Sequence, residues 1–139
     1  MLKKNVMIMV DSKREEPDKE AAEMKFITEG YYYKKDGNYF ISYDESAVTG
    51  LDGTNTIMKI EPDSVMLIRS GAASSLMFLK KGCRHTSGCS TENGVIELGV
   101  TARNLNVCLD DKGGQFQVEY TIEVNNRLTS FTKLNVKVY

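Results

Sequence analysis

No stretch of this 139-residue chain approaches the roughly 18 consecutive apolar residues that a membrane-spanning helix requires. Neither sign of charge is in excess: 18 Lys and Arg stand against 19 Asp and Glu, for a formal charge of -1. That balance removes the basic footprint of a nucleic-acid binder, so neither DNA nor a membrane is an expected partner. Helical periodicity is nearly absent too. There is one histidine, which rules out a two-histidine metal site, and the three cysteines are an odd number. The only early apolar run, Val6 to Val10, is short and is followed at once by Asp11-Ser12-Lys13-Arg14-Glu15-Glu16. A secretory signal wants a longer apolar region and a small-residue cleavage site. The expectation is therefore a cytoplasmic protein with reduced thiols.

What is present is ordinary for a globular chain: 41% hydrophobic and 27% charged residues, enough for one domain over 1–139 with a buried core. Alternation of apolar and polar residues runs through most of it. It predicts strands over 4–12, 21–35, 38–45, 53–61, 64–70, 74–80, 95–109, 115–124 and 128–138. Residues 13–20, with Pro17, read as a charged loop with at most a turn of helix at 17–20. Residues 81–90 are the least regular part. Asp36-Gly37 and Asn93-Gly94 are strong hairpin signals, and turns are expected at Glu61-Pro62-Asp63, at 110–114 and at Asn125-Asn126-Arg127. Connections this short leave no room for crossover helices. The chain reads as all-β, an antiparallel up-and-down meander, and closure into a barrel of about 8–10 strands would remove two exposed edges. A two-sheet sandwich is the competing arrangement.

Several fragments, in order, resemble a bacterial family of unknown function typified by YwiB. They are Phe26-x-Thr28-x-Gly30-Tyr31-Tyr32, Tyr39-x-x-Ser42-Tyr43-x-Glu45, Gly50-Leu51-x-Gly53-Thr54-x-Thr56, Arg69-x-Gly71, Met77-x-Leu79-x-x-Gly82, Gly94 and the turn from Asp110 to Gly114. The resemblance covers nearly the whole chain. It implies a calycin- or lipocalin-like β-barrel in the cytoplasm of a Gram-positive bacterium, and it brings no reaction. The chain departs from the family in carrying Cys89 where relatives tend to have a Tyr just before the Gly94 turn.

Arg69 stands out among the residues that carry chemistry. It lies in the apolar segment Val65-Met66-Leu67-Ile68-Arg69, in phase with Val65 and Leu67, so an inward phase aims a guanidinium into the barrel. A buried charge needs a partner, and Glu45, in phase with Tyr43, or Glu29 could supply one. Such an arginine either captures a carboxylate or phosphate head or simply closes the barrel end. Tyr32, Tyr39, Tyr43 and the inward Tyr120 complete the candidate ligand site, although cross-strand aromatic packing accounts for tyrosines equally well. In Cys83-Arg84-His85-x-x-x-Cys89 the spacing superficially suits a metal. Yet a zinc site would need Cys108 as a fourth ligand, so exposed thiols are the plainer reading, ahead of zinc, haem or a reactive thiol. No cofactor is expected.

The reading that results is a non-catalytic barrel holding a small anionic or amphiphilic ligand at its mouth, which requires a hollow interior. The alternatives are a filled barrel that docks a protein or RNA, and a hydrolase or isomerase built on Asp44, Glu45 and the tyrosines. A homodimer is a candidate assembly.

Overall fold

Ten strands in one antiparallel ring are seen in a computed structural model, which describes residues 3–72, 74–91 and 94–139, and for residues 87 and 89–91 the backbone only. They are β1 (Lys4–Glu15), β2 (Ala22–Lys35), β3 (Asn38–Asp44), β4 (Thr54–Glu61), β5 (Ser64–Gly71), β6 (Ser75–Lys80), β7 (Arg84–Thr91), β8 (Gly94–Asp110), β9 (Gly113–Val124) and β10 (Arg127–Val138). Each pairs with its sequence neighbours, and β1 pairs with β10 to close the barrel. The meander expected from the alternation is what forms, and the sandwich does not.

Turn chemistry sets the registers. Asp36 and Gly37 both hold positive φ, 51° and 81°, which gives the two-residue hairpin whose twist matches its flanking strands. Asn125 and Asn126 do the same between β9 and β10. The Asn93 half of the other hairpin signal lies outside the described residues. At Gly30 the second strand changes partners. Before it, β2 pairs only with β1; beyond it, Tyr31 and Tyr32 pair with both β1 and β3, and Tyr33 to Lys35 pair with β3 alone. A Cβ on Gly30 would meet the Ser42 carbonyl oxygen and Ile8, so the close crossing of strands there needs glycine.

Two expectations are corrected. The charged segment from Lys13 is not a loop at its start: β1 continues to Glu15, because Lys13, Arg14 and Glu15 have pairing partners in β10 at Lys133, Thr132 and Phe131. Backbone pairing outweighs the exposed, charged side chains there, and Pro17 to Lys19 form a turn without helix. The irregular segment 81–90 also contains a strand, β7. It pairs along its length with β8 but meets β6 in register only at Ser75 and Cys89 among the described residues. A strand so weakly held on one side has little inward face, so it shows little alternation.

Parity also shifts once within β8. Leu98, Val100 and Ala102 face in, the ladder slips between Ala102 and Asn104, and Leu105, Val107 and Leu109 face in thereafter. One extra residue, Arg103, moves the inward face from even to odd positions. The resulting core is uneven along the barrel axis. Ile8, Ile41, Ile60, Val65, Leu79 and Phe116 fill one half, all 2% exposed or less. The other half is lined by longer and more polar side chains.

Candidate functional site

The filled end is sealed by two of the six expected site residues. Tyr32 and Tyr39 stack at 5.2 Å between ring centres. The Tyr32 hydroxyl donates to the Asp110 carbonyl at 2.7 Å, and the Tyr39 hydroxyl donates to Asp111 Oδ1 at 2.6 Å. Lys4 Nζ donates to the Asp111 carbonyl at 2.6 Å. The hydrogen bond to Asp111, then burial, pushes the Tyr39 phenol up to about 12; the same bond, with Lys34 nearby, holds the Asp111 carboxyl below its usual range. These two tyrosines tie the β2–β3 hairpin to the β8–β9 turn. They do not share a site with Arg69.

The other four expected residues do come together. Alternation along β3 carries Ile41 and Tyr43 inward and continues past the strand end to Glu45, whose N–H donates to the Thr54 carbonyl at 2.8 Å. Register places Tyr43 opposite Thr56 and Thr56 opposite Arg69, so the three form one inward row across β3, β4 and β5. From the other side of the ring, Arg14, Thr132 and Tyr120 form a second row across β1, β10 and β9. Between the rows lies a cavity of about 570 Å³, open at the end opposite the Tyr32–Tyr39 seal. Its floor is apolar, with Phe26, Met58, Leu67, Met77, Ile122 and Leu134; Arg14, Glu16, Glu23, Thr49 and Leu51 form the rim. The barrel is hollow at this end, as the ligand-holding reading requires and the filled-barrel alternative does not.

Glu45 and Arg69 carry the electrostatics. The Glu45 residue is only 6% exposed. Its Oε1 accepts a 2.7 Å hydrogen bond from the Thr56 hydroxyl and lies 4.0 Å from Arg69 Nε. Among the described residues, Glu45 Oε2 and Arg69 Nε have no hydrogen-bond partner. Burial, then the Glu45 carboxylate, pushes the neighbouring Tyr43 phenol up, while the Arg69 charge opposes them. Burial raises the Tyr120 phenol as well, against Arg69, the Thr132 hydroxyl and Arg14. Both phenols stay protonated at neutral pH and act as hydrogen-bonding groups within the cavity wall.

Of the two carboxylates offered to Arg69 by the sequence, Glu45 is the partner. Glu29 lies on the outer face of β2 opposite Met7. Asp44 also points away from the cavity and accepts from Asn55 Nδ2 at 3.0 Å. Thr56, Arg14 and the methionines of the floor were not singled out from sequence. For Thr56 and Met58 the signal was the inward phase they share with Thr54 and Ile60 along β4. Neither Cys83 nor His85 lines this cavity; the His85 ring packs edge-on against Phe78, 4.5 Å between centres. Cys108 pairs with Gln115 eight positions along β8 from Val100, the partner of His85, so roughly 26 Å of strand separates them. A zinc site drawing Cys108 to His85 is not formed, and the Cys89 side chain lies outside what is described. Among the described residues no cluster of three metal-binding side chains occurs, and no helix is long and apolar enough to cross a membrane.

Two similarities bear on this barrel. The crystal structure of YwiB from Bacillus subtilis superposes with a TM-score of 0.78, covering 97% of this chain and 92% of that one at 21% identity, which shows a shared β-barrel fold. The same relative, an uncharacterised β-barrel protein of Bacillus subtilis strain 168, is 28% identical over 109 residues, 74% of this chain and 71% of its own. Residues 8–136, which take in nearly every strand of the ring, match the family described as Domain of unknown function (DUF1934), and the chain belongs to that family.

Proposed function

We propose that this protein binds a small amphiphilic molecule in the open half of its barrel, without catalysis. The observation that carries the reading is the cavity itself. About 570 Å³ lies within the common size range of small-molecule pockets, and an apolar floor beneath a few convergent polar groups is how such pockets are built. An apolar tail would lie against Met58, Leu67 and Met77, where thioethers adapt to varied shapes. A polar or anionic head would meet Arg69, Glu45, Tyr43 and Tyr120. Arg69 lies at the mouth with its side chain 29% exposed, where it can reach both Glu45 and a ligand. The compartment in which such a ligand would be met is, on this reading, the cytoplasm.

Native mass spectrometry of the purified protein, followed by denaturing mass analysis, tests the proposal. Extra mass that leaves on denaturation is expected, together with uptake of the uncharged fluorescent dye Nile red. Leu67→Trp, which fills the cavity floor, should abolish both while the barrel stays folded. A clean mass combined with no dye uptake would overturn the reading.

A second reading concerns the outside of the barrel. Pairing registers place Tyr31, Ser42, Ile57, Ile68 and Leu76 in one outward row across β2 to β6. Tyr33, Phe40, Lys59, Met66 and Phe78 form the adjacent row, and Tyr33 stacks on Phe40 at 5.1 Å. Tyr31 and Leu76 are 47% and 48% exposed. The two adjacent rows, apolar or aromatic except at Ser42 and Lys59, make an outward arc of the barrel wall, and a second copy of the chain is the occupant proposed for it. Homodimer interfaces are richer in apolar surface than other contacts, and the same face on two copies would pack about a two-fold axis.

A further inference from the structure

The cavity mouth makes a narrower demand on its ligand than its arginine alone would. Glu45 is buried, and one oxygen is already satisfied by Thr56. Among the described residues its second oxygen, Oε2, is a buried acceptor with no donor, and Arg69 Nε is a buried donor with no acceptor. Both belong to side chains that line the cavity. A buried polar atom is costly to leave unpaired, so whatever occupies this end has to supply a donor and an acceptor together.

Charge decides what kind of head can do so. The Arg69 guanidinium is already compensated by Glu45, 4.0 Å away. At the rim, Glu16 is paired to both Arg14 Nε and Lys19 Nζ, each at 3.1 Å, and Glu23 supplies the negative charge that balances the second cation. The mouth therefore has no net positive charge to spend on an anion. A carboxylate placed on Arg69 would stand beside the Glu45 carboxylate, and like charges at that separation repel strongly away from water. A cationic amine could satisfy Glu45 but would face the guanidinium and bring no acceptor.

We infer that the head group selected here is neutral and carries a hydrogen-bond donor beside an acceptor, of the carboxamide class, the N–H directed to Glu45 Oε2 and the C=O to Arg69. This rests on the cavity being a ligand site. Two adjacent hydrogen bonds of opposite sense also fix the head's orientation, because turning it over would set donor against donor and acceptor against acceptor.

The test compares three probes with the same tail, octanamide, octanoate and octylammonium, by amide NMR titration of the full chain at neutral pH. Octanamide is expected to bind at least tenfold more tightly than either ion. In Glu45→Gln, which removes the compensating charge but keeps the shape, the preference of octanamide over octanoate should fall by at least tenfold. Octanoate binding the wild-type protein as tightly as octanamide would overturn the inference and leave the cavity a ligand site. A preference unchanged in folded Glu45→Gln would also overturn it, by showing that Glu45 does not select the head. Failure of all three probes to bind would overturn the inference together with the reading it rests on. Should Glu45→Gln fail to fold, the wild-type ranking still decides.

Discussion

At the scale of single residues, the interior tyrosines are the most informative groups. Of seven tyrosines, Tyr32, Tyr39, Tyr43 and Tyr120 have phenols raised above their ordinary value of 10.0. The main cause is burial, except at Tyr39, where the hydrogen bond to Asp111 leads. A raised folded pKa means that the folded state holds these protons more tightly than the unfolded chain does. Their contribution to stability is fully present below about pH 10 and is lost as pH rises through the folded values, that of Tyr39 being about 12. Denaturation midpoints should therefore fall from about pH 10 upward. The near-ultraviolet absorbance of tyrosinate in the native protein should lag that of the protein in urea. Superimposable native and denatured titration curves would contradict this. Sequence alone marked all four as candidates but could not sort them. Tyr32 and Tyr39 share an inward phase with Tyr43, and only their distance along the barrel axis separates the seal from the cavity.

At the scale of elements, strand positions were legible wherever one face is buried and the other is wet. Both β9, from Phe116 to Val124, and β4, from Thr54 to Ile60, alternate without a break and fold as read. Legibility failed where pairing, not side-chain burial, holds the strand: the charged end of β1 and the whole of β7. It failed also at the Arg103 slip in β8, since a bulge leaves no mark in composition. Gly30 is the corner of the long β2 strand. Gly30→Ala would set a methyl group against the Ser42 backbone oxygen, which cannot move without breaking the β2–β3 pairing. The expected loss is about 1–3 kcal/mol, toward the upper end because the obstructing atom is backbone. Urea denaturation measures it, and a loss below about 0.5 kcal/mol, the range of neutral surface changes, would show that the corner relaxes freely.

At the scale of the whole molecule, closure and half-filling decide what the protein can do. The β1–β10 pairing removes the free edges that a ten-strand meander would expose. Its outer face keeps two largely apolar rows, and these carry the expectation for assembly. Light scattering of the purified protein at micromolar concentration should give the mass of two chains. Tyr31→Lys combined with Leu76→Lys should give one chain with an unchanged circular dichroism spectrum. A wild-type monomer would remove the second reading without touching the cavity.

Local pattern alone located most of the strands, the hairpins at Asp36-Gly37 and Asn125-Asn126, the inward phase of Tyr120, and the shared phases of Tyr43 with Ile41 and of Arg69 with Leu67, because alternation and turn chemistry are local properties of the chain; which face of β3 and β5 turns inward was left to the fold. Local pattern also placed Glu45 in phase with Tyr43, leaving Glu29 as an equal candidate. Only the tertiary structure decided between them, since the choice depends on which strands lie side by side and in what register. The meeting of the Tyr43–Thr56–Arg69 row with the Arg14–Thr132–Tyr120 row was likewise decided by ring closure, which joins residues more than a hundred positions apart in strands such as β1 and β10. Whether the barrel is hollow was decided last of all. That depends on the volume enclosed by ten strands less the volume of the side chains aimed into it, a difference that no local pattern encodes.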